Sequence, residues 1–389
     1  MNKLLYLFVN YGSAGLQFLL LPLFVAAVGQ YEFGLFTFML AIANWLSFAG
    51  TLGTQTKLRK TLGSDCSRKR SADINTTLII AFTLVLAVVI SSGAYFYLFT
   101  DFNARFGFST LIFVVCYCFF SITNSFLIAN NRMIVSALNQ FCYSIFPICL
   151  FLLFTPGLSS SYRFLFASFI MAVFIFFNRK LVFQELSLRN LQPVQIYFDS
   201  FVDNVKIAAN SLFDKIISQG DKLIVGSIFG FEILAVYAVG SQISNISQMT
   251  INAFSVYAEQ NIFKKSSELK ASIILTLIIG ALTSIILFYA VKFFFLNFFD
   301  VKFKYVLELL PLQLGIVYIR AMSSLLFVAD LNKGEHLRNI SIQYTFLLLG
   351  FGILILFSNL MSIISFLYVL LSIIILSVLV NFIYRSFKK

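Results

Sequence analysis

Long apolar runs follow one another along almost the whole chain, and short polar segments separate them. A helix of about 20 apolar residues crosses the bilayer core of about 30 Å. The pattern therefore predicts an all-α integral membrane protein with about twelve transmembrane helices. The predicted spans are Leu4–Val28, Phe33–Gly53, Leu78–Phe99, Ser109–Ala129, Ile134–Phe154, Phe164–Phe177, Val205–Ile228, Ile233–Val256, Ala271–Val291, Val306–Ala329, Ile340–Phe357 and Ile363–Tyr384.

The composition excludes a soluble protein. Hydrophobic residues make up 60% of the 389 residues and charged residues 11%, whereas an ordinary soluble domain has about 25% charged residues. A mean hydropathy of +0.92 leaves too little polar surface to cover a soluble globule. The sequence also contains no phosphate-binding glycine loop, metal-ligand cluster or nucleophile triad, so neither a soluble enzyme nor a metal site is expected.

The net charge of +12 can be explained by the distribution of Lys and Arg between the two sides of the membrane. If the loops are assigned alternately, twenty of the 28 basic residues share the side of Lys3 and five, including Arg163, fall on the other. Cytoplasmic loops carry the excess of Lys and Arg, so both termini are expected in the cytoplasm. The excess charge then indicates attraction to a phospholipid surface and no nucleic-acid partner.

A polar segment divides the chain into two halves. Residues 178–204 are predicted to form a cytoplasmic linker between six-helix lobes at 1–177 and 205–389. A short repeat supports this division, because Gly29 to Phe36 and Gly230 to Tyr237 both read Gly, four residues, a small residue, an aliphatic and an aromatic. Six spans separate the copies, which predicts lobes of parallel topology with a central cavity between them.

Polar side chains recur at helical spacing in the spans that begin each half. Two interpretations are open: such stripes line a water-filled cavity, or they form hydrogen bonds between helices. Because equivalent stripes occur in both halves, we favour the cavity. Its predicted polar lining is Asn10, Gln17, Asn44, Thr51, Ser211, Ser218, Ser241, Asn245 and Gln248.

Five charged residues lie inside predicted spans. Span seven contains Asp214, Lys215, Asp221 and Lys222, and span ten contains Arg320. Each such group costs about 2.5–3.5 kcal/mol at the centre of a lipid-facing helix, so these residues must face each other, water or a charged substrate. A structural pair such as Arg320 with Asp214 remains an alternative. Three cations against two anions favour an anionic substrate.

Three motifs resemble those of one membrane protein family. Residues 221–243, which begin Asp-Lys-Leu-Ile-Val-Gly-Ser-Ile-Phe-Gly, look like a signature across spans seven and eight of bacterial polysaccharide (O-antigen) flippases. Gly29 to Phe36 is similar to their Gly-x-x-x-Phe-Gly-Leu-Phe pattern, and Phe299 to Pro311 is similar to the loop before span ten. These flippases belong to the multidrug/oligosaccharidyl-lipid/polysaccharide (MOP) exporter superfamily, together with MATE-like transporters.

The resemblance implies a flippase and not an enzyme. Such a protein is expected to move an undecaprenyl-pyrophosphate-linked oligosaccharide from the cytoplasmic to the periplasmic leaflet by alternating access. Lys215, Lys222 and Arg320 would bind the pyrophosphate, and Asp214 or Asp221 would couple transport to H⁺ or Na⁺. No cofactor is expected; the chain would act as a monomer, beside other membrane proteins of polysaccharide assembly.

Two other functions are weighed against the flippase. A drug/cation antiporter of the same superfamily would be expected to have an acidic cavity, which the three intramembrane cations disfavour. An integral-membrane O-antigen polymerase or ligase would be expected to have a large periplasmic loop. The longest predicted outer loop runs only from Lys292 to Tyr305, which disfavours this enzyme.

Overall fold

A computed structural model describes residues 2–55, 57–58, 67–99, 104–130, 132–154, 159–183, 192–264, 269–298, 305–332, 336–357 and 361–387. These residues form helices joined by short connections. The helices are α1 (Asn2–Val28), α2 (Gln30–Thr51), α3 (Ser67–Phe99), α4 (Ala104–Ala129), α5 (Met133–Phe154), α6 (Ser161–Phe183), α7 (Val194–Lys215), a π-helical turn (Ile216–Gly220), α8 (Asp221–Phe229), α9 (Phe231–Lys264), α10 (Leu269–Phe298), α11 (Val306–Asn332), α12 (His336–Leu356) and α13 (Ile363–Phe387).

The helices match the predicted transmembrane pattern. Among the residues that the structure describes, eight helices are long and apolar enough to cross a membrane, and two shorter apolar helices lie at Gly15–Val28 and Ser341–Leu354. The predicted spans seven and eight do not reach this apolarity, as expected from their polar stripes. The all-α membrane fold is therefore confirmed.

The sixth span differs from its prediction. The sequence placed it at Phe164–Phe177, but α6 begins at Ser161 and ends at Phe183. Ser159 and Ser160 start the helix, because their carbonyl oxygens accept hydrogen bonds from the backbone N–H groups of Tyr162 and Arg163. Arg163, assigned from the sequence to an outer loop, therefore lies in the first turn of a membrane helix.

The chain divides into two compact units, Met1–Ile224 and Val225–Lys389. The first unit contains α1 to α7, the π turn and the start of α8, and the second contains the remaining helices. The end of the predicted linker packs within the first unit, where the backbone of Asn204 in α7 approaches Gly53. The lobe boundaries at residues 177 and 204 stay a prediction.

Two core clusters organise the first unit. Leu58, Ile74, Leu78, Ala81, Ile122 and Phe126 form an aliphatic cluster at one end of α3 and α4. Phe24 centres an aromatic cluster, since its ring lies 5.9 Å from Phe33, 5.7 Å from Phe36 and 5.2 Å from Phe151, each in edge-to-face geometry. Edge-to-face pairs are the favourable arrangement of aromatic rings, so this cluster ties α1, α2 and α5 together.

The segment after α2 is held against α7 by close polar contacts. Lys57 Nζ donates to Ser200 Oγ at 2.5 Å and to the Ser200 carbonyl at 3.2 Å. Burial lowers the pKa of Lys57, and the carboxylates of Asp203 and Asp73 oppose that change. The desolvation cost of the ammonium group thus exceeds its attraction to the two acids, and the Ser200 oxygens partly replace the lost water.

The repeated motif produces the same turn in both units. Gly29 has φ of +84° and Gly230 has φ of +86°, a region that residues with a Cβ rarely adopt. Each carbonyl accepts the first hydrogen bond of the next helix, from Phe33 N at 3.0 Å and from Leu234 N at 3.1 Å. The two copies therefore share a local structure as well as a sequence pattern.

Helices α9 and α11 form the centre of the second unit, and α10 lies at its surface. Ile274, Ile278, Ile285 and Ile286 of α10 are all more than half exposed, as expected for a lipid-facing helix. Tyr318 of α11 donates its hydroxyl to the carbonyl of Leu277 at 2.9 Å and so attaches α10. Gln343 of α12 donates to Ser323 Oγ at 2.7 Å.

Replacing Gly53 by Ala tests the packing of α7. Gly53 has φ of +73°, and an added Cβ would lie 2.4 Å from the Asn204 carbonyl oxygen. The strained backbone and the contact should together cost about 2–3 kcal/mol, because neither backbone can move away freely. We expect a lower melting temperature in detergent. The matched control is Gly12→Ala, since nothing lies within 4 Å of that position, and an unchanged melting temperature for Gly53→Ala would contradict the account.

Candidate functional site

The charged part of span seven surrounds a π-helical turn. Ile216–Gly220 adopts the π conformation between α7, which ends at Lys215, and α8, which begins at Asp221. A π turn inserts about one extra residue into the helix and is frequent at functional sites. Residues after it are rotated by about 100° relative to a regular helix. Lys215 and Lys222, seven residues apart, therefore do not share the face that a regular helix would give them.

Side chains around the turn bond to the helix backbone. Lys222 Nζ donates to the Ser218 carbonyl at 2.5 Å, and Lys222 N donates to Asp221 Oδ1 at 2.7 Å. The Ser218 carbonyl is available because π turns do not form the usual bond to the N–H four residues on. Asp221 is only 7% exposed, whereas Lys222 is half-buried. The carboxylate and the ammonium group are thus positioned within one helical turn.

Helix α2 meets the π turn through an amide pair. Asn44 Nδ2 donates to Gln219 Oε1 at 3.4 Å. Both residues are half-buried, so this long hydrogen bond joins two helices at the place where the charges of span seven lie. The structure therefore brings Asn44, from the predicted lining, next to the segment that contains Lys215, Ser218, Asp221 and Lys222. Gln219 is a further polar residue of this cluster.

The hydroxyl groups of α2 bond within their own helix. Thr37, Ser47 and Thr51 each donate to the carbonyl four residues earlier, at 2.7–2.9 Å. These bonds satisfy the hydroxyl groups without a partner helix or water. Thr51, one of the predicted lining residues, is 5% exposed, and its place on a transport path stays a prediction.

The described polar residues of α1 bond to α5. Ser13 Oγ lies 2.6 Å from Ser144 Oγ, and Gln17 Nε2 donates to the Ser144 carbonyl at 3.4 Å. Such bonds are what the interhelical alternative predicted for this stripe. Gln17 therefore holds α1 to α5, whatever else its amide contacts during transport.

In the second unit, Gln313 links α11 to α9. Its Nε2 donates to the Tyr237 carbonyl at 3.0 Å, and the side chain is only 4% exposed. Its Oε1 lies where a Cβ at Gly240 would be 2.1 Å away, so the absence of a side chain at Gly240 makes room for the amide. This contact joins the two helices that contain the predicted polar residues of the second unit.

The predicted residues of the second unit occupy different environments. Arg320 of α11 is half-buried, one helical repeat of seven residues beyond Gln313. Ser241 donates to the Ala238 carbonyl at 2.9 Å, Gln248 is half-buried and Asn245 is exposed. An exposed amide in a membrane helix marks a face that contacts water or protein, because lipid cannot satisfy its hydrogen bonds.

Three predicted site residues lie outside what the structure describes at the side-chain level. They are Asn10 in α1 and Ser211 and Asp214 in α7; their backbones are helical. The structural pair Arg320 with Asp214 therefore stays a prediction, as does the role of each cation toward substrate.

Arg163 was not among the predicted site residues, although its surroundings are specific. Its Cζ lies 4.7 Å from the ring centroid of Phe24 and 4.6 Å from that of Phe36. The sequence signal was the short helix start at Ser160 and Ser161, which places the arginine inside the helix. Because the sequence analysis assigned Arg163 to an outer loop, it was not considered as a residue within a membrane helix.

Helix order, apolar spans and intramembrane charges together define a multi-pass membrane transporter fold. Three solved structures have this fold. The chain is similar to the lipid II flippase MurJ in an inward closed conformation, with 13% identity, a TM-score of 0.77, and coverage of 98% of this chain and 87% of that one. An outward-facing MATE multidrug resistance transporter of the MOP superfamily has 14% identity, a TM-score of 0.66 and coverage of 99% and 94%.

The third structure is a MOP superfamily transporter from Pyrococcus furiosus, described as having a binding pocket of reverse polarity that suggests a different function. It has 12% identity, a TM-score of 0.61 and coverage of 98% of this chain and 93% of that one. No curated protein matches the chain significantly by sequence. These likenesses show the fold.

The sequence family is shown independently of the fold. Residues 1–258, about two thirds of the chain, match the family model described as polysaccharide biosynthesis protein, and the chain belongs to this family. The recognition from motifs is therefore confirmed at the level of the family and of the MOP fold. The chain thus belongs to a polysaccharide biosynthesis family and has a fold that membrane transporters and flippases share.

Replacing Gly240 by Ala tests the contact between α9 and α11. The new methyl group would displace the Gln313 amide, which is too buried to find another donor or acceptor, at a cost of about 1–3 kcal/mol. We expect a lower melting temperature in detergent, and no change for Gly352→Ala, where nothing lies within 4 Å. In a Gln313→Ala background, Gly240→Ala should cost much less, and an equal cost would show that the amide is not the cause.

Proposed function

We propose that the chain is a flippase for an undecaprenyl-pyrophosphate-linked oligosaccharide, an O-antigen or related repeat unit. It would deliver this lipid from the cytoplasmic to the periplasmic leaflet by alternating access. The family supports polysaccharide assembly as the pathway, and a flippase for another lipid-linked saccharide precursor shares the fold. The substrate then joins a bilayer-embedded hydrocarbon chain to an anionic pyrophosphate and a polar saccharide.

The intramembrane cations carry this proposal. Lys215 and Lys222 flank the π turn of the first unit, and Arg320 lies in α11 of the second. Cations within membrane helices attract an anionic group strongly, because little water screens them there. Charge-assisted hydrogen bonds to pyrophosphate oxygens are stronger than neutral ones, and Arg320 can form two at once.

The wall of the transport path would combine these cations with uncharged polar groups. Asn10, Asn44, Ser218, Ser241, Asn245 and Gln248 supply amide and hydroxyl groups suited to sugar hydroxyls. Such groups donate and accept hydrogen bonds without selecting a charge, which fits a saccharide that must be released on the other side. Thr51, Ser211 and Gln17 belong to the same predicted lining.

The second candidate is a drug/cation antiporter, because MATE transporters share the fold. The half-buried cations near the π turn disfavour it, since a cationic drug would be repelled there. The transporter from Pyrococcus furiosus, with its binding pocket of reverse polarity, supports using pocket polarity to separate functions within this fold.

Membrane orientation follows from the charge bias. We place the chain in the bacterial inner membrane with both termini in the cytoplasm, since twenty of the 28 basic residues fall on that side. It would act as a monomer in the bilayer, alongside other membrane proteins of polysaccharide assembly. It needs no bound cofactor in this scheme, and an H⁺ or Na⁺ gradient would drive the cycle.

Replacing Arg320 by Ala tests the substrate-binding role. Loss of the guanidinium should lower surface polysaccharide at least about tenfold in a flippase-deficient strain, which corresponds to about 1.4 kcal/mol of lost stabilisation. The readout is gel analysis of cell-surface polysaccharide, with the amount of inserted protein measured in parallel. Arg132→Ala is the control, because Arg132 is exposed in the turn before α5. Normal polysaccharide with Arg320→Ala would refute the role.

Replacing Asp214 or Asp221 by Asn tests ion coupling. The amide keeps the shape of the carboxylate but cannot bind and release a proton, so the variant should lose the response of transport to an imposed gradient. Transport is measured in vesicles with the gradient intact and collapsed. An equal response of wild type and both variants to the gradient would assign the two acids to a structural role.

A further inference from the structure

Arg163 occupies a notch between two aromatic rings at the start of α6. Its Cζ lies 4.7 Å and 4.6 Å from the centroids of Phe24 and Phe36, which are 5.7 Å from each other. These three points form a compact triangle, so both rings cover the same side of the guanidinium, and the side chain as a whole is half-buried. The rings attract the cation and fix its orientation, and the half-buried side chain retains part of its accessible surface.

No acid neutralises this arginine within the part of the chain that the structure describes. No carboxylate oxygen lies within 4 Å of its guanidinium there, no side-chain hydrogen bond to another described residue is found, and the titratable group that acts on it is the neutral Tyr143 hydroxyl. The acid nearest in the helix start, Glu32, is engaged elsewhere, because Ser160 donates to its Oε2 from the hydroxyl at 3.1 Å and from the backbone N at 3.4 Å. A half-buried cation without a counter-ion is costly, and a bound anion removes that cost.

The second half of the chain has no cation at the position that corresponds to Arg163. Both α6 and α13, the last spans of the two halves, begin with Ser, two residues, a polar residue and Phe: Ser160 to Phe164 and Ser362 to Phe366. Ser365 stands where α6 has Arg163, and it is exposed and bonded to Ser362. Phe366 packs on Phe229, with the two ring centroids 6.1 Å apart.

The same helix also supplies a contrast. Arg179, near the other end of α6, lies 4.4 Å from one ring, that of Phe176, and both residues are exposed. An arginine over a single exposed ring has water on its remaining sides and requires no ligand. Arg163 differs because two buried rings, Phe24 at 0% and Phe36 at 3% exposure, remove water from one side of it.

We propose that Arg163 is an oxyanion-binding residue that holds a phosphate group of the lipid-linked substrate at the start of α6. Guanidinium donors match two oxygens of one phosphate, and the rings pre-organise them for that contact. The ligand's identity rests on the proposed function, whereas the anion site itself does not. Since charge sorting puts the start of α6 on the periplasmic side, this position receives the pyrophosphate in the leaflet to which the lipid is delivered.

Binding of inorganic pyrophosphate to the purified full chain tests the site, with Lys215, Lys222 and Arg320 replaced by Met in every sample so that the proposed cavity cations do not contribute. Its affinity is measured from the rise in melting temperature in detergent at constant ionic strength. Arg163→Met keeps the side-chain length without the charge and should weaken apparent affinity about tenfold. Arg179→Met removes an arginine over a ring from the same helix and should bind as wild type. Equal affinity for Arg163→Met and wild type would overturn the proposal.

A conservative variant covers failure of the Met variant to fold. Arg163→Lys keeps the charge but not the paired donors, so it should bind pyrophosphate more weakly than wild type and more tightly than any neutral variant. Undiminished affinity for the Lys variant would contradict the two-oxygen contact. A lower melting temperature without pyrophosphate, combined with unchanged pyrophosphate affinity, would make Arg163 a clamp between α6 and the turn of α1 and α2, and would overturn the proposal.

Two further arms identify the source of the phosphate and separate this inference from the proposed function. A pyrophosphate response that disappears in nanodiscs containing phosphatidylglycerol, and persists with phosphatidylcholine, would assign the position to anionic phospholipid headgroups and overturn the assignment to the carrier. A wild-type chain that binds pyrophosphate through Arg163 but fails to restore surface polysaccharide would contradict the proposed function and leave the anion site standing.

Discussion

The structure depends on one constraint: inside a bilayer, polar groups must find their hydrogen-bond partners within the protein. Short and long polar side chains meet this constraint differently here. Hydroxyl groups mostly bond to the carbonyl four residues earlier in their own helix, as in Thr37, Ser47, Thr51, Thr76, Thr77, Ser168 and Ser244. Four amide side chains reach other helices instead, and Gln17, Asn44, Gln313 and Gln343 each join a pair, whereas Asn178 and Asn381 bond within their own helices.

This difference decides how much of the site could be predicted from the sequence. The spans were predictable, because runs of about 20 apolar residues have few alternatives to membrane helices. The glycine turns at Gly29 and Gly230 were predictable from their repeated pattern. The partner of a stripe residue such as Thr51 was not, since a hydroxyl on a polar face can bond to its own helix or line a path. Spacing alone does not separate these outcomes.

The π turn was beyond prediction from helical periodicity. A wheel with 100° per residue places Lys215 and Lys222 on one face, but the extra residue at Ile216–Gly220 rotates the second away from the first. The turn also makes the Ser218 carbonyl available to Lys222, a contact that no regular helix would offer. The turn connects α7, which ends at Lys215, to α8, which begins at Asp221. The conformation of the turn therefore determines the directions in which these two charged side chains point.

The departures from internal symmetry are more informative than the symmetry. Gly29 and Gly230 make equivalent turns, and each is followed by an acid in the first turn of the next helix, Glu32 and Glu232. In the first unit, Ser160 satisfies Glu32, whereas no described acid pairs with Arg163, and the corresponding position of α13 is Ser365. If packing at the start of the last span required an arginine, both α6 and α13 would have one. A half-buried cation that occurs in one half only, held by two buried rings, is therefore better explained by a ligand than by packing.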